Sequence, residues 1–402
     1  MLFDFNLNST LLLIPFLQGL IYGILFFLRW FRFGDIKDLF LGTFIFLGSF
    51  FLCPWMLGFA GWYDTHPYKD ILLYVPFQNL FLFGPIVFFY TKNLFYTGMK
   101  SRLKYYLHYV PGICYIIYSL YLFLYDKFIY GDYYYYADGT DKDFDEWYQY
   151  TGFLSMGIYL IKATRLYLGY SKLIVQLVSF ADAILHKWIR YFLFAFLSMI
   201  IIKLVFLVIT SLHPELDSYI GNWWFYIFIS FILFYISIVG FSNHENVSLV
   251  YKRAYYIKGL ENPKNVTFIQ NNRNIGISNE TKPKKGYIKE HKEKIIKVME
   301  EESPYLDPGL TLYKFSKMID INTSDLSRAI NQGFDMNFND FINKYRVIAV
   351  KTRFLEGRTD NMTLLGIAYD CGFNSKTTFN RAFKKNTDMT PRQFLKENTK
   401  KG

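Results

Sequence analysis

The sequence predicts an all-α protein in two parts: a bundle of seven transmembrane helices, then a cytoplasmic all-helical domain containing two helix-turn-helix units. Three observations carry this. Apolar runs of about 20 residues, the length a helix needs to cross the hydrocarbon of a bilayer, occur seven times before residue 242 and not after it. The charge is split the same way: residues 1–241 hold 16 Lys+Arg against 15 Asp+Glu, and residues 242–402 hold 28 against 18, so nearly all of the net +11 lies in the second part. Finally, a stretch of the second part repeats itself, once over residues 310–330 and again over 362–383.

The expected spans are Thr10–Phe31, Leu39–Ala60, Ile71–Thr91, Tyr105–Tyr125, Tyr148–Leu168, Ile189–Ser211 and Gly221–Phe241. They are rich in Leu, Ile, Phe and Tyr, in a chain with 43 Phe and 35 Tyr. Backbone polar groups cannot stay unpaired in lipid, so helices are the economical reading of such runs. The N-terminus lacks the basic region and small-residue cleavage site of a signal peptide, so the first run is read as a retained span. Trp30, Trp55, Trp62, Trp147, Trp188, Trp223 and Trp224 fall near span ends and read as interfacial anchors. The three cysteines, Cys53, Cys114 and Cys371, have no metal-ligand spacing and give no disulfide framework. No cofactor or metal is implied.

Basic residues set the orientation. The first, third and fifth loops carry Arg29, Arg32 and Lys37, then Lys92, Lys100, Arg102 and Lys104, then Lys172, Lys187 and Arg190. The tail before the first span and the other loops carry only Lys69, Lys127 and Lys142. This places the N-terminus outside a bacterial cytoplasmic membrane and everything after Phe241 in the cytoplasm, which an odd number of spans also requires.

Two features could sense a signal. The loop Asp126–Trp147 is acidic and aromatic, with Tyr133, Tyr135 and Asp143 as candidate ligand-binding residues for a cation, a sugar or a peptide. A solvated acidic loop beside an aromatic belt is the plainer reading. The second feature is Lys203, a cation in the middle of the sixth span, where charge is costly and usually functional. Lys162 and Arg165 lie close enough to a span end to snorkel. After the spans, residues 242–286 are rich in Asn, Lys, Gly and Pro and read as a basic connector, with VTFI and NIGI able to form a short hairpin.

From residue 287 the pattern is helical. Ile288, Ile295, Ile296, Val298 and Met299 mark the apolar side of a charged helix that ends before Pro304. The repeat follows. Thr311 and Thr363 stand where N-caps belong, and Asp320 and Gly372 stand at turns, where a left-handed backbone is needed. Asn322, and Asn374 or Ser375, cap the next helices. In these, Leu326/Ile330 and Phe379/Phe383 recur at i, i+4 and point inward. Positions just after the caps, with Arg328 and Arg381 in equivalent places, point outward. A helix at about Phe338–Leu355 joins the copies and ends at Gly357, and a last helix starts at Met389-Thr390-Pro391 with proline in its first turn.

The residues LSRAI, FINKYRVIAVK (with Arg346 and Ala349) and IAYDCGF…FNRAFKK…MTPRQF make the segment 287–399 resemble the AraC/XylS family of transcription regulators. The likeness covers about 110 residues and says nothing of residues 1–286, where that family's usual soluble sugar-sensing barrel is absent. It implies two units on successive major-groove turns of one face of double-stranded DNA, and a tendency to form homodimers. By position, base-reading falls to Ser324, Ser327 and Arg328 in the first unit and Lys376, Thr377, Thr378 and Arg381 in the second. Lys384 and Lys385 are assigned to phosphate. Arg and Lys suit guanine O6 and N7, and a threonine methyl suits thymine. The sequence departs from the family pattern at Asp335 and Asp388, where glycine is usual. Ser324 and Asp325 also make the first reading helix short and partly acidic there.

Together these readings describe a membrane-bound, one-component transcription regulator, not an enzyme, whose partners are DNA, the lipid bilayer and an unidentified signal ligand. A transporter, or a sensory receptor whose tail binds protein, is the alternative. A transporter requires polar residues across several spans, and only Lys203 lies well inside one.

Overall fold

The computed structural model describes residues 4–95, 103–181, 187–255 and 285–399, and among them there are helices and turns but no strand. The chain divides into two compact units. Residues 1–168 and 187–244 form the first, and residues 169–186 and 245–402 the second.

Among the described residues the first unit is built on seven long helices: α1 (Leu7–Phe33), α2 (Ile36–Phe59), α3 (Leu80–Phe95), α4 (Val110–Leu124), α5 (Glu146–Leu177), α6 (Lys187–Leu212) and α7 (Tyr219–Tyr255). The last part of α5 and of α7 belongs to the second unit. Among the described residues, five helices are long and apolar enough to cross a membrane: Leu7–Phe33, Ile36–Phe59, Leu107–Tyr130, Trp188–Leu212 and Tyr219–Ser242. At 16 residues, α3 reaches only about 24 Å at 1.5 Å per residue. The sequence placed this third span at Ile71–Thr91. In the structure Pro76 and the irregular chain around it postpone the helix to Leu80. The fifth helix carries Lys162 and Arg165 and is not among the five.

The first two helices make an antiparallel hairpin across the turn at Gly34-Asp35, closed at its far end where Asn6 Nδ2 donates to the Phe59 carbonyl at 2.8 Å. They approach closely because of small residues, as membrane helices do. A Cβ on Gly19 would stand 2.1 Å from Ser49 Oγ, and one on Gly42 would stand 2.9 Å from Phe26 Cβ. Aromatic side chains fill the rest, with Phe44 edge-on to Phe83 and Phe192. Three tryptophans expected as interfacial anchors are instead internal. Trp55 stacks on Tyr219 and Tyr226, Trp188 donates to Tyr90 Oη at 2.8 Å, and Trp223 donates to the Asn8 carbonyl at 3.0 Å. Trp147 and Trp224 remain exposed.

In the second unit, α8 (Lys285–Glu301) is followed by α9 (Leu312–Met318), α10 (Thr323–Gly333), α11 (Phe338–Leu355), α12 (Leu364–Asp370), α13 (Lys376–Thr387) and α14 (Pro391–Thr399). Among the described residues, helices α8–α14 pack around two cores. Ile295 and Met299 of α8, Phe315 of α9, Leu326 and Ile330 of α10, and Phe338, Phe341 and Ile342 of α11 form one. The other joins Val347, Val350 and Phe354 of α11 to Ile367, Phe373, Phe379 and Phe383. The first half of α11 thus serves one core and its second half the other. The expected connector begins as helix, since α7 runs on past Phe241 to Tyr255. The hairpin expected at VTFI and NIGI lies outside the described residues, as do Lys100 and Arg102.

Candidate nucleic-acid interface

Each copy of the repeat forms two short helices at a tight turn, and local side-chain chemistry explains where they start. Thr311 Oγ1 accepts from the Lys314 N–H at 3.1 Å, and Asn322 Oδ1 from the Asp325 N–H at 2.9 Å. In the second copy Thr363 Oγ1 accepts from the Gly366 N–H at 3.0 Å, and Ser375 Oγ from the Thr378 N–H at 3.1 Å. Ser375, not Asn374, is therefore the cap of α13. Each side chain satisfies a helix-end donor that has no partner within its own helix. The turns are left-handed where the sequence required it, with φ of 48° at Asp320 and 89° at Gly372. Asp335 and Asp388, the two departures from the family's glycines, also adopt φ of 54° and 58°, a region that aspartate tolerates better than most residues.

On α13 the inward positions are Thr378, Phe379, Ala382 and Phe383. The outward ones are Lys376, Thr377, Asn380, Arg381, Lys384 and Lys385. Period 3.6 gathers the outward set into one polar, basic stripe beginning at the helix N-terminus, the end that enters a major groove in this motif. Thr378 is not part of it. It is 1% exposed and its hydroxyl is bonded to Ser375 Oγ at 2.8 Å, so it belongs to the capping of the helix. Asn380 joins the stripe and was passed over in the sequence; its place four residues after Lys376 is the signal, and an amide there can pair with adenine N6 and N7. Lys385 Nζ lies 2.7 Å from Asp340 of α11.

On α10, Ser324 and Arg328 are exposed and Ser327 is half-buried. Arg328 Nη1 stands 3.7 Å from Asp325 one turn earlier, and Ser327 Oγ accepts from Asn331 Nδ2 at 3.4 Å. These groups already have partners on their own helix.

The sensing candidates lie in the first unit. Asp143 is buried. It accepts from Tyr115 Oη at 2.6 Å and from the Gln78 N–H at 2.9 Å, while its own N–H donates to Asp141 at 2.9 Å. Burial pushes both carboxyls above the usual carboxylate range, and Asp143 adds to the effect at Asp141. Tyr133 donates to Asp70, which also takes Lys127 Nζ at 2.8 Å. Hydrogen bonds from Lys127, Tyr133 and His66 hold the Asp70 carboxyl well below its ordinary value. The Tyr135 N–H donates to Asp126 at 3.3 Å. The structure therefore ties Asp143 and Tyr133 to Tyr115, Gln78 and Asp70, outside the loop, and does not bring them together with Lys203. That ammonium lies 5.7 Å from the Phe153 ring and 5.2 Å from the Phe225 ring, a cation–π setting inside the bundle.

Two capped helix pairs, each with its own core, on a shared connecting helix define a tandem helix-turn-helix DNA-binding regulator. Residues 315–397 match the family described as "Helix-turn-helix domain", of the AraC type. A structure described as a protein of unknown function from Listeria innocua is similar at 25% identity over 26% of this chain and 94% of that chain, with a TM-score of 0.23. No curated protein matches.

Proposed function

We propose that the chain is a membrane-embedded one-component transcription regulator. In this reading residues 1–241 cross the cytoplasmic membrane seven times with the N-terminus outside, and residues 287–402 read DNA in the cytoplasm in response to a signal received by the spanning part. The observation that carries it is a tandem DNA-reading domain on the same chain as five helices able to cross a bilayer. The orientation is supported by the basic loops. It is also supported by the grouping of residues 169–186, from the basic fifth loop, with the reading domain in one compact unit. Lys376, Thr377, Asn380 and Arg381 are the proposed base-reading residues of the second helix-turn-helix, with Ser324, Ser327 and Arg328 at the first. Lys384 takes phosphate, and Lys385 does so after leaving Asp340.

The test is footprinting of the full chain, reconstituted in lipid nanodiscs, on genomic fragments. Discrete protected sites of two successive major grooves, with affinity falling steeply as salt rises, are the expected result. Absence of salt-dependent protection would return the tail to the role of a protein-binding module.

A further inference from the structure

The two cores of the reading domain meet at Arg346, midway along α11, which is only 1% exposed. Its Nε donates to the Tyr305 carbonyl at 2.8 Å, Nη2 to the Asp307 carbonyl at 2.8 Å, and Nη1 to Asn343 Oδ1 at 3.3 Å. The turn of the second helix-turn-helix reaches the same point. A Cβ on Gly372 would stand 2.3 Å from the Tyr305 carbonyl oxygen and 3.0 Å from Arg346 Nε, so only glycine fits. Burial lowers the guanidinium pKa to about 10, which leaves it charged at neutral pH and dependent on acceptors.

Two of those acceptors come from far away in the chain. Nη1 donates to the Ser179 carbonyl at 3.2 Å and Nη2 to Ser179 Oγ at 3.0 Å. Ser179 in turn donates from its N–H (3.2 Å) and its hydroxyl (2.8 Å) to the Leu310 carbonyl. Val178 pairs antiparallel with Thr311, the cap of α9, and its carbonyl accepts from Asn339 Nδ2 at 3.4 Å. Ile174, Val178, Phe180 and Ala181 are buried, and Leu177, the last residue of α5, packs on the core of the first reading unit. A short segment that satisfies a buried cation, pairs with backbone and fills an apolar edge occupies a shaped receptor.

We propose that residues 174–181 are a coupling wedge. The reading domain carries an interaction surface built to receive this chain's own segment at the end of α5, and seating of the wedge sets the angle between the two reading units. The proposal rests on the regulator reading above and names its internal relay. α5 continues without a break to Leu177, two residues before the Ser179 that Arg346 binds. Withdrawal of Ser179 removes two acceptors from a buried charge where the cores meet, and the reading units then lose one of the ties that fix their relation.

The experiment uses the full chain in nanodiscs, as wild type and as Val178→Lys, Ser179→Pro and Ser179→Thr. Lysine at 178 places a second cation in a buried position beside the residue that Arg346 binds. Proline removes the N–H that Leu310 accepts, and threonine keeps both the hydroxyl and the N–H. Hydrogen exchange of residues 305–311 and 339–347 is expected to quicken at least tenfold in the first two variants and not in Ser179→Thr. Unchanged exchange at 376–387 reports that the second helix-turn-helix stays folded. DNA affinity is expected to change at least threefold on a site spanning two major grooves, and less on a site truncated to one. Unaltered exchange in Val178→Lys and Ser179→Pro overturns the wedge. Altered exchange with equal affinity changes on both DNAs overturns its control of the inter-unit angle. If wild type binds no DNA, the regulator reading fails, while the exchange measurement still decides whether the segment is seated.

Discussion

At the scale of single residues, the outward stripe of α13 and the residue that turns away from it make opposite predictions. Arg381→Ala and Lys376→Ala should each weaken specific binding by about 1–3 kcal/mol if they contact bases, with specificity relaxed at one position each; Lys384→Ala should weaken binding on all sequences and reduce the salt slope by about one. Competition binding against single-base variants of a footprinted site measures all three. Thr378→Val should leave sequence preference intact and lower stability by about 1 kcal/mol, because its hydroxyl bonds Ser375 and not DNA. The sequence shows Lys376, Thr377 and Thr378 as one polar run, and only the helical phase turns the third inward. A further test concerns Asp388 at φ 58°. Asp388→Gly should raise the unfolding free energy of the reading domain by roughly 0.5–1 kcal/mol by relieving a left-handed aspartate, as read from urea titration.

At the scale of elements, the caps and turns of the reading domain were legible because their chemistry is local. Thr311, Asn322, Thr363 and Ser375 each bond an N–H three residues on. The partners of Arg346 were not legible: Tyr305 is 41 residues away and Ser179 is 167, and no periodicity connects them. The third span was misplaced because a hydropathy run does not register Pro76 within it. Trp55 and Trp188 were misassigned because a tryptophan near a span end has the same sequence signature whether it faces headgroups or neighbouring helices. The outer loop offers a test of pH dependence. A carboxyl whose folded pKa lies above its unfolded value favours the fold while protonated. Its contribution is complete below the unfolded pKa and disappears as pH rises through the folded one. Because burial raises Asp141 and Asp143, the Asp126–Trp147 loop should become more resistant to proteolysis as pH falls from 8 toward 5, and Asp143→Asn should flatten the trend. Greater resistance at the higher pH would contradict the assignment. Asp70 is lowered by its partners, so its ion pair with Lys127 should persist across that whole range.

At the scale of the whole molecule, composition alone separated a part suited to lipid from a basic part suited to a polyanion, and the positions of the basic loops lead to the expectation of an odd number of spans. What composition could not reveal is that residues 169–186, between two expected spans, group with the reading domain. The topology is checked by reporters. A fusion after Lys258 should be active only as a cytoplasmic enzyme, and one placed before Asn6 only as an exported one. Both reporters active on the same side would exclude an odd number of crossings.

The seating of Ser179 against Arg346 has a consequence for how such a factor could be freed. A single protease cut between Tyr255 and Lys285 would sever the backbone there, yet the clipped fragment would remain moored through Ser179, Val178 and Leu177 to the end of the intact fifth helix. Liberation of the fragment would then be a two-key event, scission followed by unmooring, and a nicked but intact assembly should co-purify with membranes until the second key is turned.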